Sequence, residues 1–167
     1  MSRRWLAALG LVLSLACATA TAQGEAKPFV SGSLAQIVAA HAQRPFILSF
    51  WSLTCAHCQE ELALLAKLQR QYPALELVLV STDTPEDNAA ISATLSRMKL
   101  ARVESWVFAD SFADRLRFEV DRKWHGELPR TYFYQNGQVT QAVSGKLDAA
   151  STEQWLRQTG KRRGGAS

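Results

Sequence analysis

Pro45-Phe46-Ile47-Leu48-Ser49-Phe50-Trp51-Ser52-Leu53-Thr54-Cys55-Ala56-His57-Cys58 decides how this chain is read. Its first half is an apolar and aromatic run of strand length, opened by a proline of the kind tolerated where a strand begins. Its second half sets two thiols three positions apart. From Glu60 to Gln71, Leu62, Leu65, Ala66 and Leu68 then recur at helical spacing. A cysteine pair at a strand-to-helix junction puts Cys55 at or before the first helical turn, where unpaired backbone N–H groups favour an anion. Thiols in such places have pKa values of about 3.5 to 7.5, against about 8.5 for a free cysteine. Cys55 is therefore expected to be a nucleophile, and Cys58, one turn deeper, the thiol that resolves its adduct.

A lone C-x-x-C is weak evidence by itself. A zinc ribbon would need a second Cys or Cys/His pair at ligand spacing, and the sequence has none. A passive crosslink is disfavoured because the loop it would close is so short. At 167 residues and 47 % hydrophobic, the chain is long and apolar enough to build one core without staples.

The first stretch reads as an address. Arg3 and Arg4 form a positive start, Trp5 to Leu15 is apolar, and Ala20-Thr21-Ala22 supplies small residues at cleavage spacing. Residues 1–22 are expected to be a secretory signal peptide cut before Gln23, with an uncleaved membrane anchor as the alternative. Cleavage removes Cys17 and leaves Cys55 and Cys58, an even count that suits an oxidising compartment. It also removes two arginines and no acid from a net charge of +4, which leaves no charge suited to nucleic acid. Residues 161–167, with Lys161, Arg162 and Arg163, read as a basic flexible tail.

Between these ends, residues 23–44 form an extended lead-in and a first helix with Leu34, Ile37, Val38 and His41 on one stripe. His41 is read as a dipole partner or half-buried packing residue, not a ligand. After the cysteine helix, Leu75 to Val80 is apolar enough for a central parallel strand. Thr84-Pro85-Glu86-Asp87 opens a helix carrying Ile91, Leu95 and Met98. Val103 to Phe108 is a further strand, and Ser111 to Phe118 a short helix with Phe112, Leu116 and Val120 inward. Asn136-Gly137 between two alternating runs predicts a hairpin. Ser151-Thr152-Glu153-Gln154 predicts the start of a last helix, stopping at Gly160.

The order is α, β, α, β, α, β, short α, β-hairpin, α, which implies an α/β fold with a central mixed sheet and helices on both faces. Residues 45–160 resemble the thioredoxin fold, and within it the exported oxidoreductases typified by TlpA, ResA and the cytochrome c maturation thioredoxins. Three features carry the resemblance: Phe50-Trp51-x-x-x-Cys55-x-x-Cys58 after a strand, the β-α-β-α segment that follows, and Leu128-Pro129 before the hairpin. It implies a thioredoxin-like domain with a C-terminal hairpin and helix, exported and periplasmic, exchanging disulfides with protein thiols. It further implies a proline at 129 after a cis bond beside the pair, and an acid at Glu61 that tunes the thiols.

Ser49 stands six before Cys55, where cytoplasmic thioredoxins carry a proton-shuttling aspartate, so Glu61, Glu127 or water must relay the proton instead. The sequence departs from the family at Thr54, Ala56, Ala63 and His57. His57 matches DsbA-like oxidants, and a protonated imidazole there stabilises the Cys55 thiolate and makes the disulfide more oxidising. A potential between about −270 mV and about −120 mV is expected. The reductant direction, recharged by a membrane electron donor, is favoured over a disulfide-donating oxidant or isomerase. A Cu(I) delivery protein using Cys55, Cys58 and His57 is the reading from another class. Trp51 and Leu128 are expected to line a substrate groove. A monomer with no metal, no organic cofactor and no nucleic-acid partner completes the expectation.

Overall fold

The computed structural model describes residues 25–164, with side chains as far as Thr159. The expected signal peptide lies outside the described residues. Among the described residues, no helix is long and apolar enough to cross a membrane.

Six strands form one sheet: β1 (Lys27–Phe29), β2 (Phe46–Trp51), β3 (Glu76–Ser81), β4 (Glu104–Phe108), β5 (Arg130–Gln135) and β6 (Gln138–Ser144). Their spatial order is β1-β4-β3-β2-β5-β6, with β1, β4, β3 and β2 parallel and β5 and β6 antiparallel to their neighbours. Among the described residues, the α-helices α1 (Ser33–Ala40), α2 (Ala56–Gln71), α3 (Asn88–Arg97) and α4 (Ala113–Val120) connect the strands from β1 to β5, and α5 (Ala149–Gly164) follows β6. The mixed α/β sheet with a terminal hairpin and helix is the architecture expected from the sequence.

Strand periodicity sorts β2 between two cores. Ile47 and Trp51 face Leu62, Leu65 and Leu68 of α2, Ile91 and Leu95 of α3, and Trp155 of α5. Phe46, Leu48 and Phe50 face Ile37 of α1 and Leu116 of α4. The layering follows from crossover handedness: β2, β3 and β4 step in one direction across the sheet, so right-handed connections leave α2 and α3 on the same face. From β1 the chain crosses in the opposite direction to reach β2, which puts α1 on the other face. The order reverses at β2, the place where open sheets build their sites beyond the strands' carboxyl ends.

Several local expectations change. The extended lead-in expected ahead of α1 includes β1, an edge strand of three residues that completes the ladder to β4. Phe112 was expected inward, but it precedes the first residue of α4 and is 68 % exposed. α5 begins before Ser151: Asp148 Oδ1 accepts the Ser151 N–H at 2.8 Å and supplies the cap. It also runs past Gly160 to Gly164, because an interior glycine costs only about 1 kcal/mol and no proline follows. At the hairpin, Asn136 and Gly137 both take positive φ, 51° and 72°, which a two-residue turn between twisted strands requires.

His41 is half-buried at the end of α1, as expected, with a more specific role. Its Nδ1 lies 2.5 Å from Glu76 and its Nε2 3.0 Å from Glu104, so one ring ties together the starts of β3 and β4.

Candidate functional site

Strand β2 runs into the site. Trp51 ends it, Ser52-Leu53-Thr54 turns the chain, and Cys55 becomes the cap of α2 with extended dihedrals, φ −92° and ψ 106°. Its sulfur accepts the Cys58 N–H at 3.1 Å. That is the anion position at a helix start anticipated from the strand-cysteine-helix order. Cys55 and Cys58 are joined in a disulfide. Cys55 is half-buried, whereas Cys58 is 0 % exposed. Of the two half-cystines, only Cys55 therefore has surface open to an incoming thiol.

Beneath the pair lies a polar triad inside an otherwise apolar layer. Glu61, one helical turn after Cys58, is 3 % exposed. Its Oε1 accepts from Ser49 Oγ at 2.9 Å and from Thr131 Oγ1 at 2.7 Å. Its Oε2 accepts the Leu147 N–H at 3.1 Å. Ser49 on β2 and Thr131 on β5 are direct ladder partners, 3.0 Å apart at their hydroxyls. Burial pushes the Glu61 carboxyl above its ordinary pKa, against the opposing pull of Thr131, Ser49 and the Leu147 amide. Cβ atoms three positions apart on a helix are about 5–6 Å apart, so Glu61 stands on the Cys58 side of the helix within one turn of it.

The Leu128-Pro129 bond is cis. Pro129 is buried and Leu128 half-buried, and they sit one and two residues past the last β2–β5 ladder pair, Phe50 with Arg130. Being antiparallel to β2, β5 therefore starts at the edge where β2 ends. The segment before Pro129 is clamped. Arg130 donates to Asp121 at 2.7 Å, to Tyr132 Oη at 2.9 Å and to Ser144 Oγ at 2.5 Å. Ser144 Oγ donates in turn to Glu127 at 2.7 Å, and Trp124 Nε1 donates to the Glu127 carbonyl at 2.9 Å. Burial, helped by Asp121, pushes Tyr132 up to about 12, though Arg130 pulls the other way, so its phenol stays a neutral hydroxyl in this clamp.

The expected site residues separate into four placements. Cys55, Cys58, Glu61 and the Leu128-Pro129 step converge on one edge of the sheet. His57 points away from the core with its side chain 69 % exposed, its Nδ1 3.8 Å from Glu60, which also pairs with Lys146 at 2.6 Å. Trp51, expected in a groove wall, is 1 % exposed and belongs to the core layer under the pair, because its position in β2 points it toward α2. Glu127 serves the clamp rather than the thiols. Among the described residues no group of three His, Cys, Asp or Glu side chains is arranged to hold a metal.

The sequence reading passed over two residues, Asp83 and Arg130. Asp83 ends a Ser-x-Asp turn directly after the apolar β3, and Arg130 follows Pro129 in a strand whose next four residues are buried. Each is a charge where the apolar pattern predicts none, the one signal that would have found them.

Architecture and cysteine placement together decide the fold. It is thioredoxin-like. No family model matches the sequence, and no curated protein does. Solved structures do. A secreted disulfide oxidoreductase of Mycobacterium tuberculosis, homologous to E. coli DsbE, superposes with a TM-score of 0.55 at 22 % identity, over 68 % of this chain and 81 % of that one. StoA from Bacillus subtilis gives 0.50 at 19 % identity, over 68 % and 83 %. A putative thiol:disulfide interchange protein DsbE from Chlorobium tepidum gives 0.54 at 19 % identity, over 73 % and 84 %. At these identities the similarity speaks for the fold, and the chemistry rests on the residues described above.

Proposed function

We propose that this chain is an exported, periplasmic thiol-disulfide oxidoreductase that acts as a monomer and reduces disulfides of protein substrates. The observation that carries the reading is the asymmetry of the pair: Cys55 half-exposed at the start of α2 and accepting an N–H, Cys58 fully buried above a carboxyl. In the reduced protein the Cys55 thiolate attacks one sulfur of a substrate disulfide, and the other leaves as a thiolate. Cys58 gives its proton toward Glu61 and attacks Cys55 Sγ, which expels the second substrate thiolate and forms the Cys55–Cys58 disulfide. Two electrons pass to the substrate. A membrane electron donor then restores the dithiol.

Leu128 and Pro129 offer the substrate its docking edge, and His57 at the rim adjusts the thiolate when protonated. Export is supported by the leader-like start of the sequence and by the secreted relative of similar fold. The test is the reduction potential of the pair, measured by equilibrating the purified protein with graded glutathione buffers and counting free thiols. A value near or below about −220 mV supports the reductant direction; one above about −160 mV makes the protein a disulfide donor.

A further inference from the structure

Directly after β3 the chain passes close to the loop that carries Cys55. Asp83 Oδ1 accepts from Ser52 Oγ at 2.8 Å; its Oδ2 accepts the Leu53 N–H at 2.9 Å and Ser81 Oγ at 2.5 Å. The Asp83 N–H donates to Ser81 Oγ at 3.0 Å, which locks the carboxylate's own turn. Ser52 passes the constraint on: its Oγ accepts the Thr54 N–H at 3.3 Å, and its carbonyl accepts the Cys55 N–H at 3.3 Å. Thr82 N–H donates to the Trp51 carbonyl at 2.9 Å. Every residue from Trp51 to Cys55 is thus tied, directly or at one remove, to the tail of β3, and Asp83 supplies two of those ties from one side chain.

We propose that Asp83 is a positioning residue for thiol exchange: it holds the Ser52-Leu53-Thr54 loop so that the reduced Cys55 sulfur stays on the N–H groups that open α2. The inference rests on the exchange reading above. In the oxidised protein the bond to Cys58 fixes the Cys55 sulfur whatever the loop does. Reduction breaks that bond, and the thiolate then keeps its position only through the backbone of the loop. A loosened loop lets the sulfur leave the Cys58 N–H, a charge-assisted hydrogen bond that favours the thiolate. Asp83 therefore acts on the reduced state, and so on the pKa and the potential, more than on the fold.

The sign of the effect separates positioning from charge. If Asp83 acted mainly as a nearby negative charge, its removal would lower the Cys55 pKa; if it acts by position, removal raises it. Asp83→Asn keeps the shape: the amide oxygen can accept the Leu53 N–H, while the amide nitrogen donates to Ser52 or Ser81.

The experiment measures iodoacetamide alkylation of Cys55 against pH in the reduced full chain, and the equilibrium with glutathione, for wild type, Asp83→Ala, Asp83→Asn and Ser52→Ala. Asp83→Ala is expected to alkylate about tenfold more slowly at pH 6, the loss of one hydrogen bond to a charged group. Its glutathione equilibrium shifts about tenfold toward the disulfide, or about 30 mV more reducing. Asp83→Asn is expected within about twofold of wild type, and Ser52→Ala between the two. Unchanged profiles in Asp83→Ala, or faster alkylation in both Asp83 variants, overturn the proposal. If Asp83→Ala fails to fold, Ser52→Ala alone decides by the same profile. A wild-type protein that exchanges with no disulfide defeats the exchange reading itself, whereas normal wild-type exchange with indifferent variants defeats only the role of Asp83.

Discussion

Glu61 can be replaced in two ways that the structure expects to behave oppositely with pH. Its carboxyl is 3 % exposed, and burial raises its folded-state pKa above the ordinary value. Such a group binds its proton more tightly folded than unfolded. Its contribution favours folding below the unfolded value of about 4.3 and is lost as pH rises through the folded value. Each unit of elevation is about 1.4 kcal/mol by neutral pH. Glu61→Gln removes the titration and keeps the contacts, with its oxygen toward the Leu147 N–H and its amide toward the hydroxyls of Ser49 and Thr131. Glu61→Ala leaves the Leu147 N–H without its acceptor, at about 1–3 kcal/mol, while of the Ser49 and Thr131 hydroxyls, 3.0 Å apart, one can donate to the other and the second loses its acceptor. Above the folded pKa that loss is offset by relief from burying a charge.

Urea unfolding of the oxidised protein, followed by tryptophan fluorescence at about pH 4 and about pH 7, reads both variants across the interval in which the carboxyl ionises. Glu61→Ala should be more destabilised at the lower pH than at the higher, and Glu61→Gln should flatten the wild-type slope. An alanine variant hurt more at neutral pH, or a glutamine variant with the wild-type slope, refutes a buried carboxyl whose pKa the fold raises. The same Glu61→Gln protein should resolve a preformed mixed disulfide at least about tenfold more slowly if the carboxyl takes the Cys58 proton. Resolution at the wild-type rate leaves that step to water.

Cys58→Ser should trap a mixed disulfide at Cys55, detectable as a mass increase by one substrate chain, while Cys55→Ser should leave a thiol that alkylates slowly because Cys58 is fully buried. Equal trapping by the two single variants would remove the asymmetry on which the mechanism depends. His57→Pro should raise the Cys55 pKa by a fraction of a unit, about what a solvent-screened charge delivers, and an unmoved thiol titration would end the tuning role. Arg130→Met strips Asp121, Ser144 and Tyr132 of a shared donor whose side chain is 12 % exposed, and should cost about 1–3 kcal/mol in urea unfolding. It should also slow exchange with a protein disulfide while small-molecule alkylation of Cys55 stays at the wild-type rate; equal slowing of both would relocate the damage to the thiol itself.

The elements that could be read from sequence were those with a strong local cause. The apolar run into Cys55, the helical stripe of α2 and the Asn136-Gly137 turn each carry their own physics, and all three stand where expected. β1 could not be read because three residues owe their strand form to β4, some eighty positions away in the chain. The end of α5 escaped because a glycine was taken as a stop, though glycine only weakens a helix. Trp51 was expected in a groove wall, whereas the alternation of β2 already assigned it to the face of Ile47.

The Glu61 site could be glimpsed from the sequence but not closed. β2 is buried at every position, yet one of its six residues is Ser49, and β5 opens its buried run with Thr131. Either hydroxyl alone is a minor fault in an apolar pattern. Register makes them neighbours, on the face covered by α2, and the helix answers with Glu61. A buried carboxyl with only an apolar wall opposite it would be costly, and two hydroxyls in an apolar layer would lack an acceptor. Each of the three is accounted for by the other two, and the cluster they form lies one helical turn from Cys58. Consistent patterning builds this fold, and the place where three elements break it together lies within one helical turn of the buried half-cystine, Cys58.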